Sequence, residues 1–380
     1  YDRIFHGPVS VRTALANSYN IPAVKVLDRI GVTTLQRLAG QAGISTFTGQ
    51  FGLALTLGGG EVKLLELTQA YGVFLAGRRL ETRAILSVGP ADGSAEQAST
   101  GAATTNAPPV IDPATAYLIT DILSDNVARI PAFGEASVLE LPFPAAVKTG
   151  TTTDWRDNWT IGYNKQRIVG VWVGNADNTP MLDVSGIDGA GPIWHDLMLA
   201  AHPTPPPPFP KPANIVDVTI CAPSGLLPSP DCTRTRQEHF LRGTEPSEPD
   251  NQFQTIAVDA ATGAPASAAT PAERVVRRTF WRLPPEYHDW MVAQGIPLLA
   301  CGGQSTDCSP APTAAAKRPA AAPSDQHEQN GAGLVLTAPT SNTAYRIHPG
   351  LPQANQRLEV AGYVQDGRSW TELRLVKDGE

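Results

Sequence analysis

The amino-acid sequence predicts an α+β fold for residues 1–201, in which a helical region precedes an antiparallel sheet. Apolar residues recur at helical spacing in 10–17, in 22–30, in 113–125 and in the segment GGGEVKLLELTQAYGVFLAGRR. Later in the chain the apolar period becomes two, in AAVKTG, NWTIGYN and RIVGVWVGN. Three consecutive antiparallel strands behind a helical region give a layered α+β arrangement.

The first two predicted helices are separated by a short connection that contains the tripeptide SYN, residues 18–20. Pro22 suits the first turn of the second helix, where its missing N–H costs nothing, and Gly31 can end that helix. The segment GGGEVKLLELTQAYGVFLAGRR predicts a helix opened by its glycines, and Pro113 lies in the first turn of the next helix. The SYN tripeptide is therefore expected on a loop between helices.

The first predicted strand, AAVKTG, ends in Lys148, Thr149 and Gly150, and two more threonines follow, Thr151 and Thr152. A lysine at the end of an apolar strand is expected to project at the sheet edge or into a cleft. Glycine lets a ligand approach the backbone, and hydroxyls and N–H groups beside a cation can hold a carboxylate and a carbonyl oxygen. Taken alone, K-T-G occurs by chance in many chains and favours a surface lysine followed by a polar turn.

Changes in composition divide the chain into five predicted regions. The globular region, residues 1–201, is followed by a proline-rich linker, 202–212, and a cysteine-bearing intermediate region, 213–302. An Ala/Pro-rich stretch, 303–332, is predicted to be a disordered linker, and 333–380 carries the short strands of a β-sandwich that the chain does not finish.

Charge and composition exclude some classes of function. The formal net charge is −7, which gives no electrostatic basis for binding nucleic acid. No run of eighteen apolar residues is present, the length that signals a membrane-spanning helix. The motifs indicate neither a nucleotide nor another cofactor.

Four cysteines form two close pairs, Cys221 with Cys232 and Cys301 with Cys308. They are candidates for two local disulfides, which would indicate an oxidising compartment. A zinc site is the alternative, but no histidine stands at ligand spacing beside either pair and neither pair is C-x-x-C. The sequence therefore favours disulfides and no metal.

The order of the two short motifs is more informative than either motif alone. K-T-G together with S-x-N in the middle position is part of the signature of penicillin-recognising serine enzymes. The segments GPVSVRTALANSYNIPAVKVLDRIG, LTLGGGEVKLLELTQAYGVFLAGRR and VKTGTTTDWRDNWTIGYN resemble the transpeptidase domain of class A penicillin-binding proteins, and together they cover most of residues 1–195. The proline-rich linker, the cysteine-bearing region and the terminal β-sandwich resemble the 1C-type branch of that family.

This resemblance implies catalytic roles for Ser18, Asn20 and Lys148. Ser18 would relay a proton between the nucleophile and Lys148. General acid–base catalysis of this kind typically increases a reaction rate by about 10²–10⁴-fold. Asn20 would hydrogen-bond the amide of the substrate and hold the catalytic lysine. Lys148 would tune the relay and attract the substrate carboxylate.

The resemblance also implies that the residues after Lys148 bind substrate. Thr149 and Thr151 would hold the carboxylate, and Gly150 would let the substrate approach the strand. The backbone N–H of Thr151 would supply one of the two donors of an oxyanion hole. Losing one such donor typically slows the reaction by about 10²–10³-fold.

One motif of the family is missing, because no S-x-x-K occurs anywhere in the 380 residues. In the family that serine is the nucleophile and that lysine its proton acceptor, and both precede the S-x-N loop. We therefore expect the nucleophile to lie upstream of Tyr1, in a longer protein. The present chain alone should form no acyl-enzyme.

The implied function is that of a peptidoglycan D,D-transpeptidase, the crosslinking domain of a bifunctional protein that is also a glycosyltransferase. Its substrates would be stem peptides and a lipid-linked precursor, its inhibitors β-lactams, and its place the periplasmic face of the bacterial inner membrane, with other cell-wall synthesis proteins as possible partners. The alternative is a catalytically degenerate domain that binds cell wall or protein. A secreted serine β-lactamase fits poorly, because such enzymes are compact single domains.

Overall fold

The computed structural model describes residues 4–80, 82, 108–182, 184–301, 308–310, 334–338 and 361–364. The chain divides into two compact units, Tyr1–Thr313 and Ala314–Glu380. Among the described residues the first unit contains nine α-helices: α1 (Val11–Ala16), α2 (Asn20–Ile30), α3 (Val32–Ala42), α4 (Leu64–Ala70), α5 (Gly72–Ala76), α6 (Pro113–Ser124), α7 (Asn126–Phe133), α8 (Ala190–Ala200) and α9 (His288–Ala293). None of these helices combines the length and the apolar character that crossing a membrane requires.

Local signals explain where several helices begin and end. The Ser10 hydroxyl caps α1, the Asp112 carboxylate caps α6 and the Asp125 carboxylate caps α7, each by accepting a first-turn N–H at 2.8–3.1 Å. Gly31, at φ 84°, ends α2 and precedes α3. The helices predicted over 10–17, 22–30 and 113–125 are therefore confirmed as α1, α2 and α6.

The predicted glycine-opened helix is wrong in its start. Gly58 has φ 94° and ends a 3₁₀ turn, Leu53–Leu57, instead of opening a helix. The backbone is still extended at Lys63, so α4 begins only at Leu64, and Tyr71 separates α4 from α5. A left-handed glycine is typical of the end of a helical turn, which is the role it has here.

The three-stranded sheet of the first unit consists of β1 (Ala146–Thr151), β2 (Asp157–Tyr163) and β3 (Ile168–Gly174), antiparallel and in that order. Lys148 in β1 lies opposite Ile161 in β2. A tight turn joins β2 to β3, and in it the N–H of Asn164 donates to the carbonyl of Arg167 at 3.0 Å. The three strands and the hairpin are confirmed.

Helices cover both faces of the sheet. On one face α8 buries Trp194 completely against Val147. On the other face, toward α4 and α6, Tyr163 is fully buried and its hydroxyl shares a hydrogen bond with that of Thr120 at 2.8 Å. A side chain at Gly162 would collide with the Trp194 ring, so the glycine permits this close packing. The middle strand is consequently buried on both sides.

The proline-rich segment 202–212 is anchored on this domain. His202 is buried, and its Nδ1 donates to the carbonyl of Met198 at 2.8 Å while its Nε2 accepts from the Asn164 amide at 3.0 Å. Phe209 packs edge-on against Tyr163, with ring centroids 5.8 Å apart. The segment therefore follows the domain surface instead of standing free of it.

The cysteine-bearing region contains two antiparallel hairpins and a shorter strand pair. The strands are β4 (Ile215–Cys221) with β5 (Thr235–Leu241), β6 (Phe253–Asp259) with β7 (Val275–Trp281), and β8 (Leu299–Cys301) with β9 (Cys308–Pro310).

The first two hairpins are copies of one structural unit. Gly225 has φ 75° and donates its N–H to the carbonyl of Cys221 at 2.8 Å; Gly263 has φ 74° and donates to the carbonyl of Asp259 at 2.7 Å. The crosslink across the turn differs between the copies. A disulfide joins Cys221 to Cys232 in the first copy, whereas Asp259 accepts a hydrogen bond from Arg274 at 2.9 Å in the second.

In the second unit the described residues form two strands, β10 (Leu334–Ala338) and β11 (Ala361–Val364), which pair antiparallel. Apart from β9, the predicted linker 303–332 lies outside the described residues, as does most of the predicted β-sandwich. The five predicted regions and the boundaries between them stay predictions.

Candidate active site

Ser18 lies in the turn between α1 and α2, with φ 58°. The turn closes the end of α1, since the N–H of Tyr19 donates to the carbonyl of Ala14 at 2.9 Å. The left-handed conformation costs a serine roughly 1–2 kcal/mol, so surrounding contacts must maintain it. The SYN tripeptide is thus on the predicted loop, with its third residue opening α2.

Asn17 fixes this turn to α7. Its buried amide donates to the carbonyls of Ala128 and Thr13 at 2.7 and 2.9 Å, and its Oδ1 accepts from the N–H of Ala132 at 2.9 Å. Removing a buried amide with three hydrogen bonds leaves backbone groups unpaired. Sequence reasoning did not select Asn17, although its place directly before the SYN tripeptide is a signal that could have found it.

Lys148 reaches from β1 to this turn. Its Nζ donates to Ser18 Oγ at 2.7 Å and to the carbonyl of Thr149 at 2.8 Å. Burial, and secondly the positive charge of Arg129, lower the pKa of Lys148 to about 8. A lysine in this range can carry or release a proton near neutral pH, as acid–base chemistry requires.

Arg129 is the positive charge behind Lys148. It is 3% exposed, and its guanidinium donates to the carbonyl of Leu123 at 2.6 Å and to Asn126 Oδ1 at 2.8 Å. Burial lowers the pKa of Arg129 to about 10, although the charges of Asp125 and Glu140 act in the opposite direction. Nothing in the local sequence, NVARIPAF, distinguishes it from an ordinary helical arginine.

The three residues after Lys148 belong to the edge strand of the sheet. Within the described chain β1 pairs only with β2, so its other edge presents backbone N–H and C=O groups. The hydroxyl of Thr151 accepts a hydrogen bond from the N–H of Gly186 at 2.9 Å. A side chain at Gly186 would stand 2.6 Å from the carbonyl oxygen of Gly150, so the loop at Gly186 lies directly on β1.

Other predicted motif residues lie around this strand. Asn20 is exposed at the first position of α2, two residues after Ser18. A Cβ at Gly58 would be 3.7 Å from the methyl group of Thr152, which places the glycine-rich loop beside the end of the K-T-G-T-T sequence. The structure therefore brings Ser18 and Lys148 into contact and leaves Asn20 near them on the next helix.

Two tryptophans form a partly exposed aromatic pair near Gly150. The rings of Trp159 and Trp172 have centroids 6.4 Å apart, and Trp172 Nε1 donates to Asp157 Oδ1 at 2.8 Å. The Cβ of Trp159 would be 3.4 Å from a Cβ built at Gly150. The pair can serve as a wall beside the strand edge.

The candidate cysteines fall into two cases. Cys221 and Cys232 are joined by a disulfide, with Cα atoms 5.8 Å apart. Cys301 and Cys308 lie opposite each other in the backbone register of β8 and β9. Among the described residues no group of three or more His, Cys, Asp or Glu side chains could hold a metal ion.

Sequence comparisons relate the chain to penicillin-binding proteins. The family model described as penicillin-binding protein 1A, C-terminal domain, matches residues 211–255. Penicillin-binding protein 1C of Escherichia coli (strain K12) is 29% identical over 325 residues, which cover 82% of this chain and 40% of that protein. Penicillin-binding protein 1A of Clostridium botulinum is 30% identical over 290 residues, covering 73% of this chain and 34% of that protein. The chain thus spans well under half of the length of these relatives.

A solved structure shares the fold. The crystal structure of penicillin-binding protein 1A from Haemophilus influenzae superposes with a TM-score of 0.54 at 23% identity, over 65% of this chain and 42% of that one. This likeness confirms the predicted α+β fold, which is that of a penicillin-binding protein.

Proposed function

Since this chain is related to the class A penicillin-binding proteins, we propose that it carries some of the active-site residues of a peptidoglycan D,D-transpeptidase. The observation that carries the proposal is the 2.7 Å hydrogen bond from Lys148 Nζ to Ser18 Oγ, made by a lysine whose pKa is lowered to about 8. A buried ammonium needs hydrogen-bond acceptors in any protein, but a hydroxyl acceptor beside a lysine of lowered pKa is also the arrangement that a proton relay requires.

In the proposed reaction a serine hydroxyl attacks the carbonyl carbon of the D-Ala–D-Ala bond. The lysine of the S-x-x-K motif accepts the serine proton, Ser18 relays a proton to the nitrogen of the leaving D-alanine while Lys148 tunes the relay, and an ester links the remaining peptide to the enzyme. An amine of a second stem peptide then attacks the ester, forms the crosslinking amide and returns a proton to the serine. No S-x-x-K in this sequence supplies that serine, so we place it in the rest of the protein.

The strand edge would bind the peptide during both steps. Thr149 and Thr151 hold the terminal carboxylate beside the Lys148 ammonium, and Gly150 lets the substrate lie close to the backbone. The Thr151 N–H donates to the oxyanion that develops on the attacked carbonyl. Asn20, at the start of α2, hydrogen-bonds the substrate amide.

The whole protein would be a bifunctional glycosyltransferase and transpeptidase at the periplasmic face of the bacterial inner membrane. Stem peptides and a lipid-linked precursor would be its substrates and β-lactams its inhibitors. The disulfide between Cys221 and Cys232 supports an oxidising compartment. Other cell-wall synthesis proteins are candidate partners.

A second candidate is a transpeptidase fold that has become a binding module for cell wall or protein. The absence of S-x-x-K from the 380 residues is the observation that favours it. This candidate predicts no covalent penicillin adduct on the full-length protein.

The two candidates are separated by labelling the protein, expressed from its natural start, with a fluorescent penicillin and mapping the adduct by mass spectrometry. We expect one labelled serine outside the present sequence and at least 10²-fold slower labelling of Lys148→Ala. Lys165→Ala, at an exposed lysine of the β2–β3 turn, is the matched control and should label normally. A folded full-length protein without label would rule out the transpeptidase and favour the binding module.

A further inference from the structure

Helix α1, which leads into the Ser18 turn, is bound to the cysteine-bearing region 213–302 through Arg12. Arg12 Nε donates to both carboxylate oxygens of Glu238 on β5, at 3.0 and 3.1 Å. The other two guanidinium nitrogens donate to Asp125 at 3.1 Å and to Asp121 at 2.5 Å. One side chain therefore joins α1, α6, the start of α7 and the first hairpin of region 213–302.

This ion pair is shielded from solvent. The side chains of Arg12 and Glu238 are 11% and 13% exposed. Burial opposes the charge of Arg12, but hydrogen bonds to Glu238 and Asp121 raise its pKa above the ordinary value. Burial likewise opposes the charge of Glu238, and the hydrogen bond from Arg12 nevertheless lowers the pKa of Glu238. Both groups therefore stay charged. Removing Glu238 leaves Arg12 with Asp121 and Asp125 but takes away its only partner on β5 among the described ion pairs.

Region 213–302 also touches the segment that precedes α1. Arg236, two residues before Glu238 on β5, forms an ion pair with Glu238 and approaches the Ser10 cap of α1 at 3.5 Å. Trp290 Nε1 donates to the carbonyl of Phe5 at 2.8 Å. The start of α1 is thus held by two elements of region 213–302.

Helix α1 is six residues long, too short to be stable through its own hydrogen bonds. Its position depends on contacts at its two ends, among them the ion pairs of Arg12 with Glu238, Asp121 and Asp125 at the start and Asn17 at the finish. A shift of the helix start is passed on to Ser18, because only the short helix Val11–Ala16 and Asn17 lie between them. A misplacement of about 1 Å at a catalytic group can cost about 10²-fold in rate.

We propose that region 213–302 is a positioning element of the transpeptidase site, in which Glu238 holds Arg12 and thereby keeps Ser18 within hydrogen-bond distance of Lys148. Glu238 and Arg12 are positioning residues, since neither contacts Ser18 or Lys148. The inference rests on the proposed function of the Ser18–Lys148 pair.

The second hairpin copy offers a matched control. Its Asp259–Arg274 pair is also a carboxylate–arginine pair of region 213–302, and it lies within its own hairpin. Glu238→Gln and Asp259→Asn therefore remove comparable pairs, of which only the first holds α1.

The test compares Glu238→Gln, Asp259→Asn and wild type in the full-length protein. Two quantities are measured: the acylation rate constant at saturating fluorescent penicillin, and hydrogen exchange of a peptide covering residues 11–18. We expect Glu238→Gln to slow acylation about tenfold, with little change in the penicillin concentration that gives half the maximal rate. Hydrogen exchange of the peptide 11–18 should become faster. The double variant, Arg12→Gln with Glu238→Gln, should be acylated no more slowly than Arg12→Gln alone, because both substitutions break the same Arg12–Glu238 pair. Asp259→Asn should leave both quantities unchanged.

Equal exchange and acylation in Glu238→Gln and wild type would overturn the proposal, as would an equal loss in Asp259→Asn. If the wild-type protein takes no label, the proposed function fails instead. Hydrogen exchange at 11–18 then still decides whether Glu238 holds α1.

Discussion

Lys148 and Ser18, which lie 130 positions apart in the sequence, are joined by a 2.7 Å hydrogen bond from Nζ to Oγ. The lysine comes from the edge strand of a sheet and the serine from a turn between two helices. Each is held in an unfavourable state: the lysine is desolvated, and the serine has φ 58°. Unfavourable states of this kind concentrate at functional sites, because the surrounding fold must maintain them.

Replacing Ser18 separates its chemistry from its backbone conformation. Ser18→Ala and Ser18→Gly both remove the acceptor of the Lys148 hydrogen bond, so both should slow penicillin acylation by about 10²-fold or more. Glycine adopts positive φ without penalty, so Ser18→Gly should be more stable than Ser18→Ala by about 1 kcal/mol. Thermal unfolding and acylation rates check this, and a Ser18→Gly protein less stable than Ser18→Ala would contradict it.

The pH dependence of acylation should follow Lys148. If the neutral amine accepts the relayed proton, the rate rises with pH and reaches half its plateau near the Lys148 pKa of about 8. Arg129→Met removes a nearby positive charge, so the pKa of Lys148 should rise and the profile should move to higher pH. Arg129→Lys keeps the charge and is the control. An unchanged profile in Arg129→Met would show that another group controls the rate.

Lys148 should also make stability depend on pH. Its pKa is lowered from 10.5 in the unfolded chain to about 8 in the folded one, so between these values the unfolded state binds more protons. Stability from this group therefore rises with pH from about 8 to 10.5, by at most about 3 kcal/mol. The free energy of unfolding of the wild type minus that of Lys148→Met, measured from pH 7 to 11, should rise with pH across this range. A flat difference would mean that the lysine is not desolvated.

Gly186→Ala should disturb β1, the strand that we propose binds substrate. The new methyl group would lie 2.6 Å from the Gly150 carbonyl and 3.0 Å from the Trp159 carbonyl, and backbone atoms cannot rotate away. We expect a loss of about 1–3 kcal/mol in stability together with slower acylation. Gly40→Ala is the control, because nothing lies within 4 Å of its Cβ and alanine favours the helix by up to about 1 kcal/mol. An unaffected Gly186→Ala protein would show that the loop can withdraw from the strand.

Loss of the Cys221–Cys232 disulfide should destabilise the first hairpin. The bond closes a loop with a sequence separation of 11, for which chain entropy predicts roughly 3 kcal/mol. Replacing both cysteines by serine should lower the unfolding temperature and increase hydrogen exchange in 215–241. A metal chelator should not reproduce the effect in the wild-type protein, and a chelator-sensitive melting temperature would revive the zinc interpretation.

The amino-acid sequence by itself determined the local structure and the motifs. Periodicity and capping residues are properties of neighbouring positions, which is why α1, α2, α6, the three strands and the β2–β3 turn could be predicted. The resemblance to class A penicillin-binding proteins could be stated for the same reason, from S-x-N and K-T-G in order, and the relatives confirm it.

Only the tertiary structure decided which distant residues support the site. Arg129 lowers the Lys148 pKa, Gly186 lies on Gly150, and Glu238 holds Arg12. Nothing in the neighbourhood of Arg129, Gly186 or Glu238 distinguishes them, because the partner that defines the role of each is separated from it in sequence and meets it only in the fold. Desolvation likewise depends on the packing of whole layers, so no local pattern reveals that Lys148 loses its ordinary pKa. Sequence thus names the groups that can do the chemistry, while packing decides their charge and their position.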